Sequence, residues 1–100
     1  MKGSENEIRT AEDLRAVAIK GIDDTIRFYI DEEGLSADAN VITFLEAARV
    51  EIAAYDGNAK RFTRRFEALT NPMDTNPYSI GDLVMGCCRA FHRDQLLAKN

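Results

Sequence analysis

The chain predicts an all-α fold, a compact single-domain bundle or array of about four helices. Three observations predict it. Apolar residues recur at three/four spacing in four segments, the mark of helices with one buried face. No stretch shows the strict alternation of a half-buried strand. Between the segments lie Gly34, the turn Asp56-Gly57-Asn58 and the two prolines of NPMDTNP, all of which stop helices.

Residues 1–9 hold Gly3, Ser4, mixed charge and one large aliphatic, Ile8, and are expected to be a flexible lead-in. Thr10 can cap the first helix, with Asp13 in the capping-box position. That helix is expected over residues 11–33, closing at Gly34 as C′ residue. Leu14, Val17, Ala18, Ile22, Ile26, Tyr29 and Ile30 give it a broad apolar face. Gly21 lies on the same face. Its helix-propensity cost of about 1 kcal/mol predicts close approach by a neighbouring helix. The second helix, residues 39–55, takes Ser36 or Asp38 as cap. Val41, Leu45, Ala48, Ile52 and Tyr55 form its seam, and Ile42, Val50 and Ala53 fall off it. Asn58 caps the third, residues 59–70, with Phe62, Phe66 and Leu69 inward and Lys60, Arg61 and Arg64 outward. The fourth, residues 79–98, begins near Pro77 or Ser79, where Ser79 and Asp82 can make a capping box. At about 100° per residue, Ile80, Val84, Cys87 and Phe91 fall near one line, which places Cys87 in the core. Met85, Cys88, His92 and Leu96 form a second, softer strip.

With 45% hydrophobic and 30% charged residues, residues 10–100 can build one helical domain around one core. No apolar run approaches the roughly 18 residues of a membrane span. MKGSENEIRT lacks the apolar stretch of a secretory signal, so a cytoplasmic location is expected. The two cysteines are adjacent and too few for a disulfide scaffold, and they read as reduced thiols. Charge is unevenly spread. Residues 1–57 hold 6 basic and 13 acidic residues, net −7; residues 58–100 hold 7 and 4, net +3. Either the halves pack and partly neutralise each other, or one charged face meets a partner of opposite sign.

Cys88 and His92, four apart, would share a helix face. A structural zinc site needs four ligands and a catalytic one usually three plus water; no acidic residue joins this flank, so no metal or other cofactor is expected. A Cys–His nucleophile needs a lowered thiol pKa and an orienting third group. Cys88 lies two turns into its helix, and no third group is apparent. The chain has no P-loop, GxGxxG, HExxH or GxSxG motif. Pairs such as Asp23-Asp24 diverge by about 100° on a helix. No catalytic residue is therefore assigned, and the protein is not expected to be an enzyme.

The leading expectation is a non-catalytic protein-binding module. Its candidate surface is the strip Met85, Cys88, His92 and Leu96, supported by the acidic residues Asp23, Asp24 and Asp31. In size and charge alone, this profile matches small regulators and inhibitors of nucleic-acid-handling complexes encoded by phages and mobile elements, anti-CRISPR proteins among them; no residue motif carries the comparison. The alternative is a homo-oligomeric helical regulator touching nucleic acid through Lys60, Arg61, Arg64 and Arg65. A pI near 4.9 lacks the basic footprint usual for such binding, so a protein partner ranks first and a membrane is not expected.

Overall fold

The computed structural model describes residues 1–99; residue 100, the last of the expected domain, lies outside them. Four α-helices follow one another: α1 (Glu5–Asp31), α2 (Asn40–Ala54), α3 (Ala59–Phe66) and α4 (Pro77–Ala98). A single 3₁₀ turn, Glu67–Thr70, extends α3, so the segment expected as one helix over residues 59–70 is present in two pieces. No strand occurs among the described residues, only an isolated parallel bridge between Lys2 and Asn58. The all-α architecture is the one the periodicity predicts.

The start of α1 corrects the expected lead-in. The helix begins at Glu5, not at residue 11, because Ser4 and Glu7 form a complete capping box. The Glu7 N–H donates to Ser4 Oγ at 3.2 Å, and the Ser4 N–H donates to Glu7 Oε1 at 2.8 Å. The Ser4 backbone N–H, helped by the Ser4 side chain, draws the Glu7 carboxyl below its ordinary pKa. Thr10 lies inside the helix and caps nothing. Residues 1–3 are tied down as well: Lys2 N–H donates to the Gly57 carbonyl at 2.9 Å, and Ala59 N–H to the Lys2 carbonyl at 2.8 Å. At the other end the helix stops at Asp31. Gly34 then turns with φ +70, and the Leu35 N–H returns to the Tyr29 carbonyl at 2.9 Å. This left-handed conformation is where glycine costs least.

Two further caps differ from expectation. Ser36 and Asp38 hydrogen-bond to each other, and α2 begins at Asn40 with Ala39 as N-cap residue and no side-chain cap. Of the two expected starts, α4 takes Pro77, because Asn76 Oδ1 accepts from the Tyr78 N–H at 2.8 Å and Pro77 occupies the first turn, where its missing N–H costs nothing. Ser79 and Asp82 do not form its box.

The core is one cluster fed by all four helices. α1 contributes Ala11, Leu14, Ala18 and Ile22, with buried Thr25 continuing the line. α3 inserts Phe62 and Phe66. Their rings lie 4.8 Å apart, centroid to centroid, and meet Phe91 of α4 at 5.9 and 5.5 Å. Tyr55 closes the group from the end of α2, 5.3 Å from Phe62. Each fully buried side chain of this size contributes roughly 1.5–3 kcal/mol by leaving water. Gly21 behaves as its sequence position predicts: a Cβ there would stand 3.2 Å from Val84 Cγ2, so α4 crosses α1 at this point.

Two apolar lines are rotated relative to the prediction. On α2, Ile42 is buried with Leu45, Ala48 and Ile52; it belongs to the seam rather than beside it. Val41 and Phe44 are half-buried, while Val50 and Ala53 are exposed. On α4 the buried residues are Gly81, Val84, Met85, Cys88 and Phe91. Cys88 is 1% exposed and sits at the centre of this face, whereas Cys87 and Ile80 lie at its margin, half-buried. The expectation that Cys87 is the core cysteine is thus reversed. The physical reason is Gly81. Its lack of a side chain lets the Tyr29 hydroxyl approach, 3.3 Å from where a Cβ would stand. α4 therefore packs on its 81/84/85/88/91 face.

Candidate functional site

The reversal on α4 dismantles the expected binding strip. Met85, at 7% exposure, and Cys88 are inside the protein. His92 is half-buried: Nδ1 lies 3.0 Å from Glu51 Oε1, and its ring meets Phe44 edge-on at 6.2 Å. It links α4 to α2. Leu96, 51% exposed, lies on the surface. Burial pushes the Cys88 thiol up to about 12, with the neighbouring Cys87 sulfur adding to it. That thiol is neutral near pH 7, the reverse of an activated nucleophile. No group of three or more metal-ligating side chains comes together among the described residues.

The acidic candidates are split. Asp23 receives a forked contact from Arg49 of α2, with Nε at 2.8 Å and Nη2 at 3.2 Å. Asp24 pairs with Lys20 at 2.6 Å and stands 3.7 Å from Arg27. Asp31 is exposed with no ion pair among the described residues. Among the described residues, direct pairing between the two charged halves is confined to one contact. Among the described residues, His92–Glu51 is the one ion-pair contact joining residues 1–57 to residues 58–99.

The basic residues do converge. One turn of α3 and the last two turns of α4 enclose an open cleft of about 520 Å³. Arg61, Arg64 and Arg65 stand on its α3 side; Asp94, Gln95 and Leu97 stand on its α4 side; the buried rings of Phe62 and Phe91 lie beneath it. The local sequence explains the arrangement. Phe62 and Phe66 must face inward, so the intervening Arg64 and Arg65 and the preceding Arg61 are carried to the rim. Asn58 fixes the first turn by accepting the Arg61 N–H at 2.9 Å. Tyr55 closes the far end, its hydroxyl donating to the Asn58 carbonyl at 2.9 Å. Gly57 is required there, because a Cβ would lie 2.6 Å from the Tyr55 oxygen.

The arginines have different roles. Arg65 is committed: Nε and Nη2 both meet the Asp94 carboxylate, the second at 2.9 Å. The carboxylate raises the arginine's pKa, keeping it charged at every ordinary pH. Lys60, Arg61 and Arg64 are exposed and make no ion pair among the described residues. A fork of guanidinium donors with no carboxylate of its own suits an incoming carboxylate or phosphate. Asp94 lowers the local charge to +2 and adds a repulsive point inside the cleft.

The basic stretch was visible in the sequence. Asp94, Tyr55, Gln95 and Leu97 were not, because they approach from other helices; Arg65 and Asp94 are 29 residues apart and nothing local couples them. Comparison with protein-family models, curated proteins and solved structures finds no match. No helix among the described residues is long and apolar enough to cross a membrane.

Proposed function

We propose that the protein is a non-catalytic binding module that holds an acidic, apolar-anchored protein segment in the cleft between α3 and α4. The observation that carries this reading is the pair Arg61 and Arg64, with no ion pair among the described residues, at the rim of a concave site whose accessible apolar side is the 65% exposed Leu97, above the buried rings of Phe62 and Phe91. Arginine and aromatic groups dominate the energetics of protein interfaces. A polypeptide supplies both a carboxylate for the rim and an apolar side chain for Leu97. A nucleic acid fits less well, because it has no aliphatic side chain for Leu97. The sealed Cys88 and the engaged His92 support a role in binding rather than in chemistry. In this reading the module acts as a regulator or inhibitor by occupying its partner.

The test is binding to a fluorescein-labelled acidic–aliphatic peptide library and, in parallel, to a single-stranded and a duplex oligonucleotide. The expected result is peptide affinity of about 10–100 µM, lost at least roughly tenfold in Arg61→Glu/Arg64→Glu. Amide resonances of Tyr55, Arg61, Arg64 and Leu97 should shift on addition. Oligonucleotide binding that is tighter than any peptide, with a steep salt slope, would replace this reading with the nucleic-acid one.

A further inference from the structure

We infer that the segment held in the arginine cleft is the acidic end of α1 from a second copy of this chain, so that molecules join head to tail. The inference rests on the cleft being a site for acidic, apolar-anchored peptide. The protein carries one such segment on its own surface. Residues 31–35 read D-E-E-G-L. Asp31 and Glu32 are exposed and have no ion pair among the described residues. Glu33 faces the Tyr78 hydroxyl and holds its pKa above the ordinary tyrosine value. Leu35 and Ile30, both 36% exposed, flank the three carboxylates with aliphatic side chains. The order is what the cleft asks for: carboxylates for Arg61 and Arg64, then a leucine-sized group for the exposed Leu97.

The segment is also shaped in advance. Gly34 turns it, and the Leu35 N–H to Tyr29 carbonyl bond closes the turn. A segment already ordered loses little conformational freedom on docking. Within one molecule the two surfaces cannot meet. The acidic segment sits at the Tyr78 end of α4, while the cleft sits at its Asp94–Ala98 end. About 16 residues of helix, roughly 24 Å at 1.5 Å per residue, separate them. Donor and acceptor surfaces at opposite ends of one molecule, 43 Å in its longest dimension, make a heterologous contact. Such a contact propagates as open chains unless the rotation happens to close a ring. The charges are complementary: −3 on the segment against +2 in the cleft. Exposed ion pairs of this kind are individually weak and are screened by salt, so the association should be concentration-dependent and salt-sensitive.

The experiment is sedimentation equilibrium of the full chain from about 10 µM to about 1 mM, at roughly 50 and 500 mM NaCl, which bracket strong and weak screening. The expected result is an average mass that climbs past that of a dimer with concentration at low salt, and returns to monomer at high salt. Arg61→Gln/Arg64→Gln and Asp31→Asn/Glu32→Gln should each be monomeric, with unchanged circular dichroism. Mixed one to one, these two variants should form a heterodimer and stop there, because each retains one intact surface. A monomer throughout, or a closed dimer that survives both sets of substitutions, overturns the inference. Titration of the labelled peptide IDEEGLS, residues 30–36 of this chain, separates the two claims. If other acidic peptides enter the cleft and this one does not, the second copy is wrong and the cleft stands; if no acidic peptide enters, both fall.

Discussion

Arg15 reaches 38 and 40 residues along the chain to donate to the Ala53 carbonyl at 2.7 Å and the Tyr55 carbonyl at 2.8 Å. These are carbonyls at the C-terminal end of α2, with no intrahelical donor of their own. The same guanidinium lies over Phe62, 6.0 Å from the ring centroid, so one side chain joins α1, α2 and α3. Its Nε is buried without a partner, which offsets part of the gain. Arg15→Met should lower unfolding stability by about 1–2 kcal/mol, read as a shift in urea midpoint at constant slope. Arg15→Lys should recover less than half, because an ammonium cannot span both carbonyls with a planar fork. The adjacent cysteines give a second test at this scale. Cys87 is half-buried and Cys88 sealed, and burial raises both thiol pKa values. Native protein at pH 8 should be alkylated first at Cys87, with Cys88 modified only as fast as the fold opens. Peptide mass spectrometry of the labelled sites reads the order, and equal rates would contradict the packing of α4.

Among the elements, the N-terminus of α1 holds the plainest prediction. Ser4→Ala removes the cap and should destabilise by about 1 kcal/mol, while Thr10→Ala, inside the helix and exposed, should change stability by less than about 0.5 kcal/mol. The S-x-x-E signature was present at Ser4-Glu7, but the segment after it is polar, and hydrophobic periodicity reads such a turn as unstructured. The four segments and their breaks were legible because caps, prolines and three/four spacing are local signals. Gly21 was legible for the same reason: a glycine on an apolar face has few explanations besides close packing. Rotation about a helix axis is a different matter. Choosing Ile80 as the reference for α4 moved its core line by roughly 60° at 100° per residue and exchanged Cys87 for Cys88. The heptad-like set 81/84/85/88/91 was available, but it starts on a glycine, whose value to packing depends on Tyr29 coming close. The candidate site suffered most, because it depends on which residues of α2, α3 and α4 converge. The arginines could be read; the carboxylate and the apolar side that make them a cleft could not.

For the molecule as a whole, the titrating groups that the fold perturbs by burial set its behaviour in alkali. Burial is the first cause of the raised pKa at Cys88, Cys87, Tyr29 and Tyr55. An acid whose pKa is raised by folding keeps its proton longer in the native state than in the unfolded chain. The stability it contributes is fully present below its unfolded pKa and is lost as pH rises toward the folded value. For Cys88 that window opens near the ordinary thiol value of 9.0 and extends to about 12; the tyrosines enter above their ordinary 10.0. Stability should therefore be level from neutrality to about pH 9 and then fall by about 1 kcal/mol per pH unit while one thiol dominates, steepening once the tyrosines join. Cys88→Ala removes one of the two thiol titrations and leaves that of Cys87, so its profile should fall from about pH 9 less steeply than that of wild type until the tyrosines join above pH 10, displaced downward at every pH by the lost core contact. Urea unfolding followed by circular dichroism between pH 7 and pH 11 measures both curves. If wild type and Cys88→Ala fall in parallel from pH 9, the early loss belongs to another group and the burial of Cys88 does not govern it.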